Sequence, residues 1–89
     1  MSESSESLIT YPCDFPIKVM GPSNDDLLPA VLHVAQRIDA KLRAEDIAVR
    51  PSRAGNYLGL TLTVHVRSRE ELDELYRTLS THPLVRVVL

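Results

Sequence analysis

The chain has 89 residues, 44% of them hydrophobic, with one Phe, three Tyr and no Trp. This length suits one small domain with a modest core made mainly of Leu, Val and Ile. The formal net charge of −2 disfavours a nucleic-acid-binding surface, which normally needs a concentrated basic face.

Residues 1–14 are predicted to form a disordered polar tail in front of a single domain at residues 15–89. Four serines and two glutamates occupy the first seven positions, and such a segment buries too little apolar surface to offset its ordering entropy. The composition of this segment does not decide whether its apolar residues, Leu8, Ile9 and Tyr11, contact the domain.

The first strand is predicted at residues 17–20, where apolar and polar residues alternate, and Gly21-Pro22 ends it. Ser23 or Asn24 can cap the following helix, with two aspartates, 25 and 26, in its first turn. The apolar stripe of this helix, at helical spacing, is Leu27, Val31, Val34, Ile38 and Leu42.

A hairpin is predicted in the middle of the chain. Its first strand contains Ile47 and Val49, and Pro51 in that stretch is typical of an edge strand or a bulge. Ala54-Gly55-Asn56 has the composition of a hairpin turn. The strand after it has one apolar face, formed by Leu58, Leu60, Leu62, Val64 and Val66.

The second helix is predicted from a capping box that begins at Ser68 and includes Glu71. Pro83 ends this helix, and a last strand covers residues 84–89. The order β-α-β-β-α-β predicts an α+β, ferredoxin-like sandwich of two layers. Two helices would cover one face of a four-stranded antiparallel sheet with the strand order 4-1-3-2.

This topology brings the turn at 21–24, the hairpin at 51–57 and the connection at 80–83, with His82, to one end of the sheet. Arginine there could grip a carboxylate or phosphate, although the two aspartates near the helix would compete with an anion. The alternative is a solvated edge hairpin. The candidate ligand-binding residues are Gly21, Ser23, Asn24, Arg50, Arg53 and Asn56.

The sheet face opposite the helices is the second candidate surface. It is predicted to display Lys18, Met20, Thr61, Thr63, His65, Arg86 and Val88. A mixed face of this kind suits contact with a protein partner or a second copy, although antiparallel sheets often have a solvated face. Single-stranded RNA binding is the alternative function, and it is disfavoured because no aromatic residue is predicted in the central strands on this face.

No catalytic, metal or cofactor site is predicted. His33, His65 and His82 lack the spacing of metal ligands, and Cys13 has no base predicted beside it that would make it a nucleophile. A single cysteine indicates a reducing compartment. With no signal peptide or membrane-spanning segment recognised in the sequence, we expect a cytoplasmic protein.

Several motifs resemble the YbeD-like family of small bacterial proteins. They are Phe15-Pro16, Lys18-Val19-Met20-Gly21, Pro51-Ser52, Gly55-Asn56-Tyr57, Leu75-Tyr76, Val85-Arg86 and Val88-Leu89, within residues 12–89. The resemblance implies a fold similar to ACT regulatory domains, which bind small ligands and regulate metabolic enzymes. Some members of the family are encoded beside lipoate-biosynthesis genes. The resemblance therefore predicts a non-enzymatic regulatory or adaptor domain that acts through a protein partner. It also predicts that this domain senses a small anionic metabolite and has a link to lipoate metabolism.

Overall fold

A computed structural model describes residues 9–89 of the chain. Within these residues the elements are β1 (Cys13–Pro22), α1 (Leu27–Gln36), β2 (Ala48–Pro51), β3 (Tyr57–Val66), α2 (Arg69–Ser80) and β4 (Val87–Val88), with a short 3-10 turn at Ala44–Asp46. The four strands form one antiparallel sheet in the order β2-β3-β1-β4. This is the predicted order 4-1-3-2 read from the other edge, so the predicted topology is confirmed.

Strands β1 and β3 form the centre of the sheet and carry most of its buried side chains. They pair over ten residues, from Cys13 opposite Val66 to Pro22 opposite Tyr57. Alternate residues on both strands are buried against α1 and α2, and together with Val31 and Leu75 of those helices they belong to one core cluster. Both helices therefore cover the same face of the sheet, and the other face is left open.

Strand β1 begins two residues before the predicted domain boundary. Cys13 and Asp14 already pair with β3, and Tyr11 packs against the core. Cys13 is a partly buried strand residue with a free thiol. The part of the predicted tail at residues 1–8 lies outside the described residues.

Helix α1 is shorter than its apolar stripe predicts. Asp26 occupies its N-cap position without a side-chain cap bond, and the Oδ1 atom of Asn24 accepts a bond of 2.7 Å from the backbone amide of Asp26 in the turn before the helix. The aspartates therefore precede the first turn. The helix ends at Gln36, so Ile38 and Leu42 contact the core from the connection that follows.

A carboxylate continues the edge of the sheet beyond Ala48, the first residue of β2. Strand β2 pairs only with residues 58–61 of β3, which leaves the amide of His65 beyond its reach. The Oδ2 atom of Asp39 accepts that amide at 3.0 Å. This bond satisfies a backbone donor that would otherwise be an exposed pairing site.

The hairpin between β2 and β3 forms as predicted. Gly55 adopts a φ of 80°, a conformation that glycine accepts without steric cost. The amide of Ser52 donates to the carbonyl of Tyr57 at 2.8 Å, and the amide of Gly55 donates to the carbonyl of Ser52 at 2.9 Å. Pro51 lies on an edge strand, where a residue without an amide proton can be placed without loss of a hydrogen bond between strands.

The prediction of which residues in the last strand lie on the open face of the sheet is wrong for β4. The amide of Arg86 donates to the carbonyl of Met20 at 2.8 Å, and Val87 is also the register partner of Met20. Arg86 and Val87 thus both lie opposite Met20, as in a β-bulge, and after the bulge the alternation between the two faces of the sheet shifts by one residue. Val88 therefore pairs with Val19 and packs on the core, whereas it was predicted on the open face.

The N-terminus of α2 is capped by Ser68, as predicted. The Oγ atom of Ser68 accepts the amide of Glu71 at 3.2 Å. The carboxylate of Glu71 accepts a hydrogen bond of 2.8 Å from the backbone amide of Arg67. In a standard capping box it would accept from the amide of the N-cap residue, Ser68.

We expect Ser68→Ala to lower the free energy of unfolding by about 1 kcal/mol, the usual cost of losing an N-cap side chain. The control is Ser80→Ala, because Ser80 is exposed at the other end of the same helix and should change stability by less than about 0.5 kcal/mol. Urea unfolding of both variants measures the difference. Equal stabilities would show that the cap contributes nothing.

Candidate binding surface on the open sheet face

The strand register arranges the open face in rows that run across the sheet. Directly opposed residues of antiparallel strands share a face. One row runs Ala48, Thr61, Lys18 and Leu89, where the last pair exchanges two backbone bonds. The next row runs Arg50, Gly59, Met20 and Val87. Tyr57 and Pro22 form the row beyond it.

Exposed apolar side chains are concentrated on this face. Among the described residues five large hydrophobic side chains are exposed, and four of them lie on the open face in adjacent rows: Met20, Tyr57, Val87 and Leu89. The fifth, Val49, pairs with Leu60 on the helix side of the edge strand. Groups of exposed apolar side chains are a common feature of surfaces that meet a partner or a ligand, which makes this face the candidate site.

A groove of about 520 Å³ lies on this part of the sheet. Its floor includes Gly59, which has no side chain and leaves a gap in the row between Arg50 and Met20. Tyr57 and Thr61 line it on the two sides of Gly59 along β3. The volume lies within the range typical of small-molecule sites, roughly 300–1,000 Å³.

The charged side chains that line the groove are both positive. They are Lys18 and Arg50, and neither forms an ion pair within residues 9–89. The acid on this face is Asp14, whose carboxylate lies 2.8 Å from the Nδ1 atom of His65. Asp14 is four residues from Lys18 along β1, or about 13 Å, so it neutralises the groove little.

The structure divides the predicted ligand-binding set between two places. The turn and the hairpin do meet, because the amide of Ser23 donates to the carbonyl of Asn56 at 2.9 Å. Gly21 is buried beside Leu84 at the same end. Arg50, by contrast, lines the groove on the open face.

The remaining residues of that set have local roles or exposed positions. The side chain of Asn24 is engaged with the amide of Asp26, and Arg53 is exposed in the hairpin loop. The Nδ1 atom of His82 accepts the amide of Leu84 at 3.1 Å. A ligand site at this end of the sheet stays a prediction.

The predicted partner surface lies largely where the alternation placed it. Lys18, Met20 and Thr61 line the groove, and Thr63 and His65 continue the same face of β3. Arg86 is exposed opposite Met20. A role for these residues in partner binding is still a prediction.

The predicted partner surface left out four residues that the structure places on this face: Tyr57, Gly59, Val87 and Leu89. Tyr57 lies on the open face of the central strand β3, which corrects the expectation that no aromatic residue would be found there. The alternation of the strand already places Gly59 on the side of Thr61 and Thr63, and extending it to residue 57 would have found Tyr57. The two β4 residues were hidden by the bulge.

The side chains around the start of α2 form a separate ionic contact. The Nε and Nη2 atoms of Arg67 donate to the carboxylate of Glu71 at 3.2 and 2.8 Å. These bonds, followed by the bond from the Arg67 amide, lower the pKa of Glu71 below its ordinary value of 4.5. The same side-chain bonds, followed by the negative charge of Glu71, raise the pKa of Arg67. Within the described residues no cluster of three potential metal ligands occurs.

The lowered pKa of Glu71 predicts a loss of stability in acid. Because the folded state binds this proton less readily than the unfolded state, the contribution is complete above about pH 4.5 and disappears as the pH falls through the folded pKa. We expect the stability difference between the wild type and Glu71→Gln to shrink in urea unfolding from pH 7 to pH 3. Glu70→Gln, which lacks the Arg67 contacts, is the control. A difference that is constant with pH would contradict the prediction.

The comparisons with known proteins agree with this architecture. Residues 6–89 match the family described as "Protein of unknown function (DUF493)". The chain belongs to this family. It is 53% identical to the UPF0250 protein of Paraburkholderia phymatum over the full length of both chains. It is 52% identical to the UPF0250 protein of Ralstonia nicotianae over 84 residues, which cover 94% of this chain and 87% of that one. The predicted family resemblance is confirmed.

A solved structure similar to this family member is the ACT domain from GTP pyrophosphokinase of Chlorobium tepidum. The two align with a TM-score of 0.65 over 86% of this chain and 97% of the other, at 19% identity. At this identity the likeness shows an ACT-like fold and no more. Neither helix of residues 9–89 is long and apolar enough to cross a membrane.

Proposed function

We propose that the protein is a non-enzymatic regulatory or adaptor domain that acts by binding a protein partner on its open sheet face. The observation that carries this proposal is the group of exposed apolar side chains, Met20, Tyr57, Val87 and Leu89, beside cations without an ion-pair partner in residues 9–89. The ACT-like fold supports a regulatory role by analogy.

The charge of the face favours an acidic partner over a second copy of the chain. In a symmetric dimer each patch meets the same patch, so Lys18, Arg50 and Arg86 of two copies would face one another. Like charges brought together in this way oppose association. A partner with apolar side chains flanked by carboxylates would match both features of the surface. We look for it in the cytoplasm, the compartment that the sequence predicts.

The proposal includes the sensing of a small anionic metabolite, which the family resemblance implies. A link to lipoate metabolism would make a carboxylic acid with an apolar chain the natural candidate. Lys18 and Arg50 provide positive charge of the kind that such a ligand requires.

Quantitative capture of cytoplasmic proteins tests the partner. We expect Arg50→Glu and Met20→Glu to reduce recovery of the partner at least ten-fold, because each places a negative charge in the proposed interface. Arg77→Glu is the matched control, since Arg77 is exposed on α2 in the helical layer. Equal loss with Arg77→Glu, or no loss with the open-face variants, would contradict the proposal.

Single-stranded RNA binding is the second candidate, and the position of Tyr57 favours it. An exposed aromatic ring on a central strand, near Lys18 and Arg50, offers one stacking platform beside positive charge. Binding that weakens steeply with salt and is lost in Tyr57→Ala would support this function. Affinity that is undetectable at low salt would exclude it.

A further inference from the structure

The groove on the open face has the features of a small-molecule site rather than of a flat docking surface alone. It has a volume of about 520 Å³ and is lined mainly by apolar groups, with Lys18, Arg50, Ser52, Thr61 and Tyr57 as polar or charged contributors. Sites for small ligands commonly combine an apolar lining with a few such polar groups.

The depth of the groove follows from one residue. Gly59 lies in β3 between Arg50 on one neighbouring strand and Met20 on the other. A Cβ atom built on Gly59 would lie 3.6 Å from the carbonyl oxygen of Arg50, which is an ordinary contact. The backbone around position 59 therefore has space for a side chain. Because Gly59 has none, room is left above the sheet at this point.

The two cations can reach a ligand that occupies this room. Lys18 and Arg50 lie on strands separated by β3, one row apart, so their backbones are about 12 Å from each other. Both side chains are long enough to converge above Gly59, and the groove contains no carboxylate side chain with which they could pair. An arginine can bind a carboxylate through two parallel hydrogen bonds.

We infer that the groove above Gly59 binds a small organic acid with a flat apolar body. Its carboxylate pairs with Arg50 and Lys18, and its body lies over Gly59 between Met20 and the ring of Tyr57. This site differs from the predicted one at the end of the sheet, with which it shares only Arg50. The regulatory meaning of the ligand rests on the proposed function, but its binding does not require a partner.

The test is a titration of the purified chain, labelled with ¹⁵N, with 3-phenylpropionate, followed by amide chemical shifts. We expect the largest changes at residues 18–20, 48–50 and 57–61. The neutral analogue 3-phenylpropionamide, of nearly the same shape, should bind at least about ten-fold more weakly, because hydrogen bonds to charged groups contribute more than neutral ones.

Two variants and a control complete the test. Arg50→Gln should weaken binding of the acid about ten-fold, and Gly59→Val should abolish it by filling the groove without changing any charge. Arg77→Gln should bind like the wild type. Shifts centred on residues 23, 24 and 53–56, equal affinity for the acid and the amide, or no shift at millimolar acid would each overturn the inference. Partner capture uses no added ligand, so failure of the titration and failure of the proposed function are distinguished.

Discussion

Gly21→Ala should destabilise the protein by about 1–3 kcal/mol, the usual cost of forcing an extra group into a packed interior. Gly21 is buried near the end of β1, and an added Cβ atom would overlap the carbonyl oxygen of Leu84 and press on the side chain of Leu27. Since the Leu84 oxygen belongs to the backbone, relief requires the segment leading into β4 to move. For a domain of this size, total stability is roughly 4–13 kcal/mol, so the loss would be conspicuous.

Gly59→Ala is the matched control for this prediction. The same substitution in the neighbouring central strand meets only the carbonyl oxygen of Arg50, at 3.6 Å. We expect unchanged stability or a gain of up to about 1 kcal/mol, because alanine loses less backbone entropy than glycine on folding. Guanidinium unfolding of both variants measures the contrast. Equal destabilisation would contradict the close approach of Leu84 to β1.

Leu60→Ala should have the largest effect of all, a loss of about 2–5 kcal/mol. Leu60 is fully buried on the core face of β3, so truncation removes apolar contacts and leaves a cavity. Leu89→Ala makes the same chemical change on the open face, where Leu89 is 66% exposed. We expect it to change stability by less than about 0.5 kcal/mol.

This contrast concerns function as well as stability. If Leu89→Ala costs almost nothing, the exposed apolar side chains are not required for folding, and a contact with another molecule becomes the better reason for their presence. A loss similar to that of Leu60→Ala, measured by guanidinium unfolding, would show instead that the open face is covered within the folded chain.

The topology could be predicted from sequence because the periodicities in it are strong and local. The alternation from Leu58 to Val66 and the capping box at Ser68 each identify an element without tertiary information. The ends of elements were harder to place. Helix α1 stops at Gln36 although apolar spacing continues, because the chain turns there through bonds that involve Asp39.

The candidate site could be predicted only in part, because it depends on register between strands. Lys18, Met20 and Thr61 follow from alternation within single strands. That Arg50, Gly59 and Met20 share a row depends on pairings between distant segments, which periodicity does not specify. The bulge opposite Met20 likewise reversed the facing of β4, and no glycine or proline within residues 85–89 marks it.

The most direct test of the open face as the functional surface is photo-crosslinking in cells. A photoreactive amino acid would replace Met20 on the open face in one protein and Arg77 on α2 in another. We predict a discrete protein adduct from position 20 and none from position 77. An adduct from position 77 alone, or no adduct from position 20, would contradict the account.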